Sequence, residues 1–88
     1  MKMKDSMTRK LEAALSPVVL EVIDESHLHA GHAGWRESGE THFRIHVVAD
    51  AFAGKSRIER HRMVNAIVAD ELKAGVHALA IAARAPGE

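Results

Sequence analysis

The segment Thr41-His42-Phe43-Arg44-Ile45-His46-Val47-Val48 alternates without a break, with Phe43, Ile45 and Val47 on one side and His42, Arg44 and His46 on the other. A period of two belongs to an extended strand, and a clean apolar/polar alternation belongs to a sheet with one buried and one wet face. The rest of the chain must therefore supply an apolar layer for the inner face. Its 88 residues allow a single domain, expected to span 1–88. A chain of that size buries only roughly 60–65% of its unfolded surface. A covering partner, or a weak homodimer, would add to its stability.

The covering layer is readable on both sides of this strand. Residues 1–6 are polar and expected to fray; then Met7, Leu11, Ala14 and Leu15 recur at helical spacing until Pro17 ends the helix. Val18-Val19-Leu20-Glu21-Val22-Ile23-Asp24 is dense in β-branched residues and predicts a first strand, followed by a loop from about Glu25 to Gly39. Ser56-Arg57-Ile58-Glu59 has the pattern of a capping box, and Met63, Val64, Ile67, Val68 and Leu72 form the stripe of one helix that Gly75 stops. Val76 to Ala82 predicts a third strand, with His77, Leu79 and Ile81 on one face. The order α-β-β-α-β gives an α+β domain with helices packed on one face of a three-stranded sheet.

Seven histidines and no cysteine then ask for a chemical explanation. His27, His29 and His32 crowd the glycine-containing run Ser26 to Trp35, and imidazole is both a near-neutral titrating group and a common metal ligand. Spacing alone favours solvated loop histidines, because structural zinc sites usually bring four ligands that include cysteines. His77 alone reads as a hydrogen-bonded structural residue, and His42 and His46 as surface residues. His61 caps or pairs within its helix. Trp35 either packs under the loop or anchors a partner. Lys55, Arg57, Arg60 and Arg62 gather at a helix start, where a phosphate contact is physically reasonable, although Glu59 interrupts them and the formal net charge is zero. Mean composition, 47% hydrophobic and 27% charged, is that of a globular chain. No apolar run approaches the roughly 20 residues of a membrane span, and the lack of a signal-peptide pattern predicts a cytoplasmic location. Asp24, Glu25 and nearby histidines come with no nucleophile motif or phosphate loop, so no enzyme activity is expected.

Four motifs occur in order: Asp24-Glu25-Ser26-His27-Leu28-His29; Gly39-Glu40-Thr41-His42-Phe43; Phe52-Ala53-Gly54-Lys55-Ser56 with Arg60-His61-Arg62-Met63-Val64; and Val76-His77-Ala78-Leu79-Ala80-Ile81. Together they resemble the BolA family over nearly everything from Val18 to Pro86. The resemblance implies a fold similar to the class II KH domain, with a three-stranded mixed sheet and a helix-turn-helix region over about Phe52 to Leu72. It also implies two activities, neither enzymatic. One is pairing with a monothiol glutaredoxin and its glutathione to share a [2Fe-2S] cluster, in iron–sulfur and iron homeostasis. The other is transcriptional regulation through duplex DNA, for which Lys55, Arg57, Arg60 and Arg62 are the candidate contacts. For the cluster, the resemblance places one ligand on His77 and a second on His29, with His32 or His27 as alternatives because the loop is longer than in many relatives. The donor chemistry agrees: a chain without thiolates offers a cluster only imidazoles, so the sulfur ligands must come from a partner. Single-strand reading through a Gly-x-x-Gly loop is not expected, since the corresponding turn offers only Gly54-Lys55-Ser56.

Overall fold

The computed structural model describes residues 2–25 and 42–88. Helix α1 (Met3–Leu15) leads into strand β1 (Val19–Asp24); strand β2 (His42–Val48) is followed by a 3-10 turn at Asp50–Phe52, helix α2 (Arg57–Ile67), helix α3 (Ala69–Ala74) and strand β3 (Ala78–Arg84). The sheet order is β1-β2-β3, antiparallel between β1 and β2 and parallel between β2 and β3, which makes it mixed.

The alternation in β2 sorts its side chains as predicted on the inner side, where Phe43, Ile45 and Val47 are buried with Val22 of β1. Met7, Leu11 and Leu15 from α1 and Val64 and Val68 from the helical segment after it close the same core, and Phe52 fills it from the 3-10 turn. Leu79, Ile81 and Ala83 of β3 pack against it, half-buried. Among the described residues no helix covers the outer face: Val19 and Ile23 of β1 are exposed, and polar pairs cross it from Arg44 to Glu25 and from His46 to Glu21, both at 3.1 Å.

Three boundaries differ from the sequence reading. Helix α1 starts at Met3, within the segment expected to fray, and Ala14 is exposed where the apolar stripe had included it. It stops where expected: Ser16 takes a left-handed φ of 44° and closes the helix by donating its N–H to Glu12, and Pro17 follows. The single helix expected after Ser56 is two, because Val68 sits at φ −104°, ψ 23° and turns the axis without breaking its bonds to Val64 and Leu72. That turn points Glu71 inward. It is only 4% exposed, accepts a short hydrogen bond from the Ser6 hydroxyl and meets Lys10 Nζ at 3.0 Å, so α1 and α3 are pinned through a carboxylate. Burial opposes its ionisation, but the contacts from Ser6 and Lys10 outweigh that and hold it below the ordinary carboxylate value.

The third difference matters most for the site. The strand expected at Val76–Ala82 runs from Ala78 to Arg84, because the two residues before it are consumed by the helix end. Gly75, at φ 142°, and Val76 both direct their N–H groups to the Glu71 carbonyl, and the Val76 side chain is buried beneath them. The Glu71 carbonyl thus closes the helix by accepting from two successive N–H groups, with a buried apolar side chain after the glycine. His77 is thereby left as the residue between the closure and the ladder.

Candidate functional site

Parallel pairing between β2 and β3 sets His42 opposite Ala78, so His77 reaches the same corner of the sheet as His42 although 35 positions separate them in sequence. His77 is exposed. His42 is 6% exposed, and the two ring centroids lie 5.3 Å apart at an interplanar angle of 55°. The reading of His42 as a plain surface residue is therefore corrected. Alternation assigns a side chain to a face of the sheet, whereas the ring contact to His77 at this corner comes from a distant segment, which alternation within one strand does not register. Glu25 donates its N–H to the His42 carbonyl at 2.8 Å, which extends the β1–β2 ladder to this corner. His46, by contrast, is half-exposed and bonded to Glu21, as a surface residue.

His27, His29, His32 and Trp35 lie outside the described residues. Among the described residues no group of three His, Cys, Asp or Glu side chains could hold a metal ion. His77 therefore offers one exposed imidazole, and a complete ligand set needs donors from elsewhere.

The four basic residues divide. The capping box at the start of α2 is formed in both directions, Ser56 Oγ accepting from the Glu59 N–H and Glu59 accepting from the Ser56 N–H. The second of these bonds, with the Ser56 hydroxyl contact behind it, lowers the Glu59 carboxyl below its ordinary value. Lys55, Arg57 and Arg62 are exposed. Arg60 is not. Its side chain is only 13% exposed and donates to the carbonyls of Lys55 and Ala83, while Nη1 and Nη2 hold the two oxygens of Glu88 at 2.5 and 2.7 Å. Of the four, Arg60 is thus committed to contacts within its own chain. His61 is half-buried beside it, on the same groove.

The sequence reading missed His42 and Glu88. A Thr-His-Phe run opening a strand was a usable signal for the first only together with the Val-His-Ala run that opens its parallel neighbour. Nothing local signals the second, because its partner lies 28 positions away.

A family model described as BolA-like protein matches residues 11–88. The chain belongs to the BolA family. Among solved structures this BolA chain is similar to BolA1 from Arabidopsis thaliana, with a TM-score of 0.89 and 35% identity over 100% of this chain and 96% of that one. Among curated proteins it is 54% identical over 83 residues to the Arabidopsis thaliana SufE-like protein 1, chloroplastic/mitochondrial, covering 90% of this chain but 22% of the relative. It is also 43% identical over 81 residues to the Escherichia coli protein named DNA-binding transcriptional regulator BolA, covering 92% of this chain and 73% of that one. The three-stranded mixed sheet with helices on one face is the fold of these structural neighbours. Among the described residues no helix is long and apolar enough to cross a membrane.

Proposed function

We propose that this BolA-family chain is a cytoplasmic, non-enzymatic adaptor that docks on a monothiol glutaredoxin carrying glutathione and contributes imidazole ligands to a shared [2Fe-2S] cluster. The observation that carries the reading is the placement of His77. It is exposed, held between a helix closure and a β-ladder, and steadied on one side by the His42 ring. A ligand fixed in this way is presented to a partner with little ordering cost. The donor chemistry fits the cluster as half a site: His77 and one of His29, His32 or His27 supply nitrogen, and a chain without cysteine takes its sulfur ligands from the partner. The cluster would supply one-electron redox capacity, and imidazoles in place of thiolates raise its potential. A BolA segment within a SufE-like relative fits a role beside iron–sulfur chemistry. The test mixes the full chain with glutathione-loaded monothiol glutaredoxin, iron and sulfide and records visible absorption and circular dichroism. His77→Ala is expected to abolish the hetero-complex spectrum, and the loop variant that does so as well identifies the second ligand among His27, His29 and His32. A wild-type spectrum from His77→Ala sinks the reading.

A second reading, regulation through duplex DNA, is favoured by the exposure of Lys55, Arg57 and Arg62 on one helix start and by the name of the Escherichia coli relative. Removing Arg57 and Arg62 together is expected to weaken duplex binding and flatten its salt dependence. No shift of a duplex at low salt by the wild-type chain excludes it.

A further inference from the structure

An open groove of about 610 Å³ lies between α2 and the second half of β3, at the opposite end of the sheet strand from His77. Lys55, Arg57, Arg60 and Arg84 line it, with His61, and one carboxylate, that of Glu88, enters it. Four fixed cations face one anion. The carboxylate is held by more than charge: Arg60 grips it through two nitrogens, and the Ala85 N–H donates to Oε1 at 3.1 Å. These contacts, the Arg60 bond first and the Ala85 N–H second, pull the Glu88 carboxyl down to about 2. Glu88 itself remains 42% exposed in its side chain, so its carboxylate sits at the mouth of the groove.

A guanidinium edge and a converging backbone N–H, with further cations at the rim, form a receptor for a planar or tetrahedral oxyanion. The Arg60 guanidinium is also aimed in advance, since its Nε and Nη1 are anchored on the Lys55 and Ala83 carbonyls. At the start of α2 the capping box already uses the N–H groups of Ser56 and Glu59. We infer that this groove is a binding site for a phosphate group, and that the Glu88 carboxylate occupies the phosphate position and keeps the site closed. Inorganic phosphate or a phosphomonoester carries more charge than the carboxylate it replaces and has an additional oxygen for the Arg57, Lys55 and Arg84 side of the groove, whereas a backbone phosphodiester matches the carboxylate in charge and in free oxygens. The site is independent of the cluster reading, because it lies at the other end of β3 and uses none of the histidine ligands.

Free inorganic phosphate and the backbone phosphates of a DNA duplex share this chemistry, and the test separates them. The full chain is titrated with inorganic phosphate by amide and arginine-side-chain NMR, and with a labelled duplex by fluorescence anisotropy, for wild type, Glu88→Gln, Glu88→Asp and Arg60→Gln. Glu88→Gln removes the competing charge and is expected to tighten phosphate binding about tenfold, the effect expected for a charge-assisted contact. The Ala85 N–H and Arg60 Nε–H signals should move most. Glu88→Asp, too short to reach both partners, should fall between, and Arg60→Gln should bind weakly. A matching gain for the duplex assigns the site to nucleic-acid phosphates, and a gain for inorganic phosphate alone assigns it to small phosphate-bearing ligands. Glu88→Gln binding phosphate no tighter than wild type, or shifts confined to residues away from the groove, overturns the inference. So does undiminished binding by Arg60→Gln.

Discussion

At the start of β3 an exposed imidazole stands beside a buried one, whereas past its far end a guanidinium is gripped by two backbone carbonyls and both oxygens of a carboxylate. Both arrangements hang on the same β2–β3 ladder, in unbroken parallel register from His42–Ala78 to Val48–Arg84. The difference lies in who completes them. The arginine end draws its partners from its own chain, while the histidine end presents an exposed imidazole outward, which in the proposed function would be completed by donors from elsewhere. A rigid strand can thus carry a self-satisfied polar cluster and a half-site at once, because hydrogen bonds at one end make no demand on the other.

The largest expected effect breaks the comparison at the open end. His77→Ala should eliminate the glutaredoxin-dependent cluster spectrum yet leave folding stability within about 1 kcal/mol of wild type, as for an exposed residue that gives up one ring contact, to His42; urea unfolding followed by circular dichroism measures the second part. Next is Glu71→Ala, which removes the carboxylate that joins α1 to α3 behind the histidine corner. It should cost about 1–3 kcal/mol of stability, the range for losing hydrogen bonds to a buried charged group, while cluster assembly survives. If cluster assembly fails with the fold intact, the corner depends on the helix layer more than the ladder geometry implies. A smaller loss is expected from Arg60→Gln: a fall of the thermal midpoint smaller than for Glu71→Ala, with the His77-dependent spectrum unchanged, since the two ends are separate.

The smallest effect is a pH slope. Glu88 is held at about 2 by the Arg60 and Ala85 contacts, and Glu71 is lowered because its hydrogen bonds outweigh burial, both from an ordinary value of 4.5. Folded values below unfolded ones mean that each carboxylate contributes fully above the unfolded value and loses its contribution as pH falls through the folded one. Thermal midpoints should therefore decline on acidification from about pH 4.5 towards pH 2. The double variant Glu71→Gln with Glu88→Gln should show a flatter decline. A wild-type slope in the double variant would assign acid sensitivity to other groups.

Much of this architecture can be read in the sequence. The alternation of Phe43, Ile45 and Val47 marks the inner face of β2, and Ser56 with Glu59 marks the start of α2 to the residue. What escapes is whatever depends on two distant segments meeting. Val76 was read as the start of the third strand, but its N–H is used on the carbonyl of Glu71, and the strand starts two residues later. His42 was read as surface because its neighbours alternate, but it is buried, with the His77 ring beside it across the ladder. Arg60 was grouped with Lys55, Arg57 and Arg62 because they are adjacent in sequence, and only the fold separates it from them by bringing Glu88 to it. Val68 carries no glycine or proline, so the break between α2 and α3 had no local marker.

The central position of β2 has a consequence for how such a chain can vary. The spacing of His42 and His77 is set by the β2–β3 ladder. In the proposed half-site, the placement of the His77 imidazole by the sheet is therefore the same whichever of His27, His29 and His32 is its fellow ligand. On that proposal, the choice of the second ligand and the geometry of the first are separate variables of one scaffold.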